Sequence, residues 1–329
     1  MRGLCTALGL VTVLAAMTVC ACNPVLLSPG SPGSPTQAIT GGPTSIKPPH
    51  ASLGDTWTRP SDGAMMVYVP SGTFQMGSAV GDPYTEADEF PQHTVTLDGF
   101  WLDRTEVSVA QFHQFATETD YESEAEQEGW ALTWTGTEWD EVEGADWQHP
   151  YGPNSGVQGD HPVVQISWDD ATAYCTWAGA QLPTEAQWEY AARGSEGYLY
   201  PWGNEFDGTR LNFCDVNCPF DYRNPHYDDG YELTAPVGSY PAGDSWCGAS
   251  DMGGNASEWT SDWYEEEYYS HSPSRNPTGP ETGDYRVMRG GSWYFLKGWT
   301  RTAMRYYSDI PCVRLPYLGF RCVVPSTEQ

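Results

Sequence analysis

Apolar positions along this chain follow two periods in short runs. "MMVYVPSGTFQMGS" (65–78) is dense in strand-favouring residues and breaks at Pro70-Ser71-Gly72, which predicts strand structure around a turn. "HTVTLDGFWLDRTEVS" (93–108) alternates apolar with polar and predicts two short strands with a break near Asp98-Gly99. The period then changes. In "SVAQFHQFATET" (108–119), Val109, Phe112, Phe115 and Ala116 share one helical face behind Ser108 as N-cap. "SWDDATAYCTWAGA" (167–180) places Ala171, Tyr174, Cys175 and Ala178 on one face. "PTEAQWEYAARG" (183–194) predicts a helix capped by Thr184, burying Trp188 and Ala191 and ending at Gly194.

The polar, Trp-bearing stretch 120–160 shows no clear period and reads as a long ordered loop. Beyond Gly194 no long helical period returns, and loops and short strands are expected up to Cys322. No clean repeat and no linker-like stretch divides 59–325, so one domain is expected there.

Composition sharpens this picture. Hydrophobic content is a modest 39%, but 15 Trp, 20 Tyr and 10 Phe supply large apolar areas for a core. With 35 Gly and 26 Pro, turns must be frequent, so the fold is ordered and loop-rich. A formal charge of −29 repels phosphate backbones and argues against nucleic acid as a partner. The acidity serves solubility, and some carboxylates are candidates for holding Ca²⁺, a hard cation that takes oxygen ligands.

The opening "MRGLCTALGLVTVLAAMTVCAC" has an early Arg and an apolar run of signal-peptide length. Its end resembles a bacterial lipoprotein cleavage box, with Val19 and Ala21 before Cys22 as the lipidated first mature residue. Residues 1–21 are thus expected to be a lipoprotein signal peptide, and 22–58, rich in Pro, Gly and Ser, a tether. The expected location is periplasmic or cell-surface, with the chain held at a membrane by its lipid.

Export also bears on the cysteines. Setting Cys5, Cys20 and Cys22 aside leaves Cys175, Cys214, Cys218, Cys247, Cys312 and Cys322, enough for three disulfides in any of fifteen pairings. "CDVNC" (214–218) could alternatively be half of a zinc site.

Catalytic signatures are missing. The sequence has no phosphate loop, dinucleotide fingerprint, HExxH or GxSxG. Its histidines, including His93, His113, His149 and His161, follow no ligand spacing and read as structural or surface groups. Two oxygen-rich patches remain. In the first, Asn212 and Asp229 offer side-chain oxygens, and Phe213 and Tyr231 offer carbonyls from a turn that Gly230 permits. In the second, "DMGGNASEW" (251–259), Asp251 and Glu258 flank a turn whose carbonyls at Gly254 and Ala256 could point inward. Carboxylate, amide and carbonyl oxygens in this mixture are how Ca²⁺ is usually held.

The motifs, taken in order, resemble the formylglycine-generating enzyme or sulfatase-modifying factor family. "MVYVPSGTFQMGS", "GADWQHPYGPNS", "QLPTEAQWEYAARG", "YPWGNEF", "DMGGNASEWTSDWY", "RVMRGGSW" and "LGFRCV" carry the resemblance over about residues 61–324. It implies an irregular, loop-rich single-domain α+β fold related to C-type lectins. It implies Ca²⁺ at both patches, with Asn212, Phe213, Asp229 and Tyr231 at one and Asp251, Gly254, Ala256 and Glu258 at the other. It also implies a Cys175–Cys322 disulfide, which leaves Cys214–Cys218 and Cys247–Cys312 by elimination.

One departure from the family weighs on function. Formylglycine-generating enzymes carry two cysteines after the Gly-Gly-Ser turn, which bind Cu(I) and oxidise a substrate cysteine; two thiolates suit that soft ion. Here the first of those positions is Phe295, the segment Lys297–Thr300 is shorter than the family's, and no cysteine lies between Cys247 and Cys312. Copper chemistry is therefore not expected. The leading expectation is a calcium-binding, lipid-anchored binding or accessory domain, whose partner is an envelope protein or a small-molecule or peptide ligand. Its candidate binding surface is Trp293, Tyr294, Phe295, Trp299, Arg301, Arg305, Tyr306 and Tyr307, since aromatic residues with Arg make binding hot spots. The alternative is an oxidase of the same superfamily, either siderophore-maturing or formylglycine-generating, with Ser292, Arg305 and Glu258 as candidate catalytic groups.

Overall fold

A computed structural model describes Lys47 and residues 50–326, with 307–309 described by backbone alone, so the candidate side chain of Tyr307 lies outside the description. The expected signal peptide, the lipidation site Cys22 and most of the expected tether lie outside the described residues.

The chain begins β1 (Thr56–Thr58), β2 (Met65–Val69), β3 (Gly72–Met76), β4 (His93–Leu97) and β5 (Phe100–Asp103). It continues α1 (Val109–Thr119), α2 (Glu124–Glu128), β6 (Trp130–Trp134), β7 (Trp139–Glu143), α3 (Trp168–Trp177) and α4 (Glu185–Arg193). Short strands close it: β8 (Ser257–Trp263), β9 (Arg286–Arg289), β10 (Tyr306–Asp309), β11 (Leu318–Phe320) and β12 (Val323–Pro325). One four-stranded sheet has the order β1-β2-β5-β12, another β10-β9-β8-β11, and β3-β4 and β6-β7 form separate hairpins. This is the irregular α+β architecture expected.

Among the described residues, all four α-helices open on a capping box. Ser108, Ser123, Ser167 and Thr184 accept from the backbone N–H three residues on, and the side chain at that position reaches back to the cap. Two otherwise orphaned donors are satisfied at each start. Residues 120–160 are more regular than the sequence suggests. Ser123 and Glu126 cap α2, Gly129 ends it at φ 81°, and β6 and β7 pair from Trp130↔Glu143 to Trp134↔Trp139. The tether expected over 22–58 also ends early. Thr56–Thr58 pairs with Met65–Val67, and Trp57 packs 5.9 Å from Trp101, because β-branched and aromatic residues favour a strand over an extended linker.

The core has two main bodies. Phe112 and Phe115 of α1 meet Tyr174 and Cys175 of α3, Trp259 of β8 and Phe320 of β11. Trp188, Tyr190 and Ala191 of α4 pack under β2, β3, β4 and β5. The Cys175–Cys322 disulfide ties α3 to the residue before β12, as the resemblance implies. Cys214 and Cys218 are bridged too, so they are not a zinc half-site. The expected Cys247–Cys312 pairing is not made. Cys247 is a buried thiol bonded to the Ala191 carbonyl and Ser245, under α4. Among the described residues no helix is long and apolar enough to cross a membrane.

Candidate functional site

Two loops and the Gly-Gly-Ser turn meet in one assembly. The first loop carries Asn212 and Phe213, the second Asp251 to Ala256. Asn255 N–H donates to the Asn212 carbonyl at 2.9 Å, and the Asn212 side-chain amide donates to Asn255 Oδ1 at 3.1 Å and to the Leu233 carbonyl at 2.8 Å. A Cβ on Gly254 would lie 2.3 Å from the Asn212 carbonyl oxygen, so only glycine lets the loops approach this closely. The turn docks in the same way. A Cβ on Gly291 would lie 2.5 Å from the Gly253 carbonyl, and Trp293 N–H donates to the Asn255 carbonyl at 3.1 Å.

At the first patch, Asp229 accepts from the N–H groups of Phe213 (3.0 Å) and Tyr231 (2.9 Å), and its own N–H donates to Asp215. Burial pushes the Asp229 carboxyl up to about 7; the N–H groups of Tyr231 and Phe213 oppose the rise and Asp215 adds to it. Asn212 is 1% exposed and its Oδ1 has no hydrogen-bond partner. A buried, unpaired amide oxygen is costly, and a cation at that point would satisfy it. The Asp229 carboxylate thus ties the backbone of Phe213 and Tyr231 together beside Asn212, and Asn212 Oδ1 is the buried oxygen here that a hard cation would satisfy.

The second patch differs from the expected set. Asp251 sits at φ 63° and accepts from Gly238 N–H at 2.5 Å. Glu258 is wholly buried and already engaged. Arg321 donates to both of its oxygens, each at 2.7 Å, and Trp188 Nε1 donates to Oε2 at 2.9 Å. A further carboxylate, Glu106, lies here that the sequence reading passes over. Asn255 Nδ2 donates to Glu106 Oε1 at 3.0 Å, while Oε2 is buried without a partner. Burial, then the Asp251 charge, pushes the Glu106 carboxyl well up, and Arg321 opposes them. In the sequence Glu106 is one acid among 44, and "RTEVS" carries no ligand spacing to mark it. Among the described residues no three His, Cys, Asp or Glu side chains converge as a metal cluster. A cation at either patch would thus lean on carbonyl and amide oxygens.

The segment after the Gly-Gly-Ser turn is mostly interior. Trp293, Arg301 and Arg305 are at most 1% exposed and Tyr306 is buried, so they form no binding surface. Arg305 donates to both oxygens of Glu185 (2.7 and 3.2 Å) and to the Asp88 carbonyl; Arg301 is held by Glu89 and the Tyr84 carbonyl. Buried guanidinium groups need such partners, which makes these arginines structural. Ser292 is fully buried, with Oγ accepting weakly from Tyr294 N–H at 3.3 Å. Neither Ser292 nor Arg305 is placed to reach a substrate. Trp299 is 38% exposed, and Tyr294 and Phe295 are half-buried.

Phe295 fills its position with a ring packed on Tyr306 (4.7 Å), Tyr294 (5.0 Å), Tyr317 (5.5 Å) and Trp299 (5.8 Å). Its carbonyl accepts from Cys214 N–H at 2.9 Å, which joins this segment to the bridged loop beside the first patch.

Residues 53–325 match the family described as the sulfatase-modifying factor enzyme 1-like domain. The formylglycine-generating enzyme of Bos taurus is 39% identical over 297 residues, covering 82% of this chain and 78% of its own. The Bos taurus protein named inactive C-alpha-formylglycine-generating enzyme 2 is 36% identical, covering 69% of this chain and 76% of its own. Among solved structures, PvdO from Pseudomonas aeruginosa shares the fold with a TM-score of 0.68 at 24% identity, covering 83% of this chain and 99% of its own. Family match, relatives and α+β fold agree, and the chain belongs to the sulfatase-modifying factor enzyme 1-like family, together with the formylglycine-generating enzymes.

Proposed function

We propose that this protein is a calcium-bearing, lipid-anchored, extracytoplasmic member of the family that binds a partner or assists one and makes no formylglycine. The observation that carries this reading is Phe295. Where relatives place the first copper thiol, this chain has a ring packed among four others. Cys247 offers no substitute, being buried under α4 and bonded to the Ala191 carbonyl. A two-thiolate Cu(I) site needs cysteines, and residues 292–311 carry none. A relative named as inactive at 36% identity supports such a role within the family. The lipid anchor rests on the Cys22 box, and calcium on the two oxygen patches.

The test is incubation of the protein with a cysteine-type sulfatase peptide, Cu(I) and oxygen, followed by mass spectrometry. An unchanged peptide mass is expected. Conversion of the peptide cysteine to an aldehyde would overturn the proposal in favour of formylglycine generation.

A further inference from the structure

A cavity of 180 Å³ lies beside the ring cluster around Trp293, and none of the candidate site residues lines it. Tyr151 and Leu233 belong both to its lining and to that cluster, while Pro150, Pro162 and Val164 add to its apolar wall. A cavity of about 150 Å³ with an apolar lining holds a benzene ring, so this one has room for a single ring with a short substituent. Its polar groups are few and uncommitted. His161 Nδ1 and Thr234 Oγ1 share a hydrogen bond at 3.0 Å, which fixes the imidazole and leaves Nε2 without a partner among the described residues. The Tyr151 hydroxyl and the Gln158 amide, also in the lining, have no partner among the described residues either. No Asp, Glu, Lys or Arg lines the cavity.

One wall is held under strain. Gln165, beside the lining Val164, is fully buried and sits at φ 61°, a left-handed conformation that side chains rarely adopt. Its amide donates to the Pro150 carbonyl at 2.8 Å and the Leu132 carbonyl at 3.0 Å, so the strained residue clamps the loop that carries Pro150 and Tyr151. Such strain persists only where the surrounding fold over-determines it, and it clusters at ligand sites. The exposed residues of the lining, Gly156, Val157 and Gln158, mark the mouth. Val157 is apolar yet 38% exposed there, and a ligand in the cavity would cover it.

We infer that this cavity is a binding site for a small, neutral, single-ring ligand that carries a hydroxyl group. The rings of Pro150, Tyr151, His161 and Pro162 give flat walls that suit a flat ligand. Tyr151, Gln158 and His161 supply the few polar contacts that would orient its hydroxyl, the usual division of labour in a small-molecule site. A charged ligand would find no counter-charge in the lining, and an anion would also meet Asp160 and Glu232, the residues before His161 and Leu233. The inference goes beyond the reading above: it needs neither calcium nor a lipid anchor, and it gives the binding role a ligand class.

The test is titration of the full chain with phenol, read by ligand-observed NMR and thermal melts, with benzoate as the charged counterpart. Phenol is expected to bind saturably at one site and to raise the Tm, and benzoate to bind at least tenfold more weakly. Val164→Phe fills the cavity from its buried wall and should weaken phenol binding at least tenfold. Added bulk at a buried position can unfold a protein, so Val157→Trp at the exposed mouth is the second variant. It should keep the ligand-free Tm and weaken phenol binding at least fivefold. No saturable phenol binding by the wild type would overturn the inference, as would unchanged phenol affinity in every variant that folds. Benzoate binding as tightly as phenol would overturn the assignment to a neutral ligand. None of these outcomes bears on the sulfatase-peptide result, so the two readings fail separately.

Discussion

Asp262 shows how much a single buried acid matters here. It lies in β8 at 2% exposure, and its Oδ2 accepts from Glu185 N–H at 2.9 Å and Ser261 Oγ at 3.0 Å. Burial, then the neighbouring Glu185 charge, raises its carboxyl to about 7, against the pull of those two donors and Arg305. The unfolded carboxyl titrates near 3.8, so the folded protein holds an extra proton from about pH 4 to pH 7. Stability from this group is therefore full below that window and falls as pH rises through it, by on the order of 4 kcal/mol. Asp262→Asn keeps an acceptor for Glu185 N–H and removes the titration. Denaturant melts across this range should show a shallower fall with pH for Asp262→Asn, and greater stability than wild type at pH 8. An unchanged slope would assign the pH dependence to other groups, such as Asp103, which burial raises to about 6.

At the scale of elements, the disulfide between α3 and the start of β12 closes a loop of 147 residues. In the chain-entropy account such a crosslink limits the unfolded state and contributes about 5 kcal/mol. The paired variant Cys175→Ala, Cys322→Ala should lose several kcal/mol in guanidinium titration while keeping its strands by circular dichroism. The Cys214–Cys218 bridge closes only 4 residues and should matter locally, at the first patch. The sequence made the longer helices legible because their stops are chemical: Ser108, Ser167 and Thr184 cap them, and Gly194 ends α4. It concealed α2 because five residues are too few to show a period, and β6-β7 because the buried face of β6 is only Ala131 and Thr133 while β7 buries no residue fully. The first patch could be proposed from sequence because Asn212, Phe213, Asp229 and Tyr231 lie within a short span of it. Glu106 could not, since its partners Asn255 and Asp251 lie about 145 residues away and only folding brings them together. Arg301 and Arg305 look like surface charges for the same reason: their carboxylate partners Glu89 and Glu185 are 212 and 120 residues distant.

At the scale of the whole molecule, the arginines move off the surface and leave the acids there. Of 15 Lys and Arg in the chain, Arg59, Arg193, Arg289, Arg301, Arg305, Arg314 and Arg321 are at most 2% exposed. They hold interior carboxylates such as Asp103, Glu189, Glu89 and Glu258. The outer shell is therefore poor in cations, and its acids repel one another in the compact state. Raising monovalent salt from ~0.01 M to ~1 M shortens the screening length from ~30 Å to ~3 Å, which weakens that repulsion and barely touches the dry interior pairs. The Tm of the chelator-treated protein should accordingly rise with NaCl. On the proposed calcium reading, calcium should then raise it further at matched ionic strength, because a bound ion would satisfy buried oxygens such as Asn212 Oδ1, which screening cannot reach. Magnesium, which surrenders its waters reluctantly and wants a tighter octahedron, should do less than calcium. Equal gains from NaCl and CaCl₂ at matched ionic strength would mean that diffuse acidity, and not the two patches, governs how this protein responds to cations.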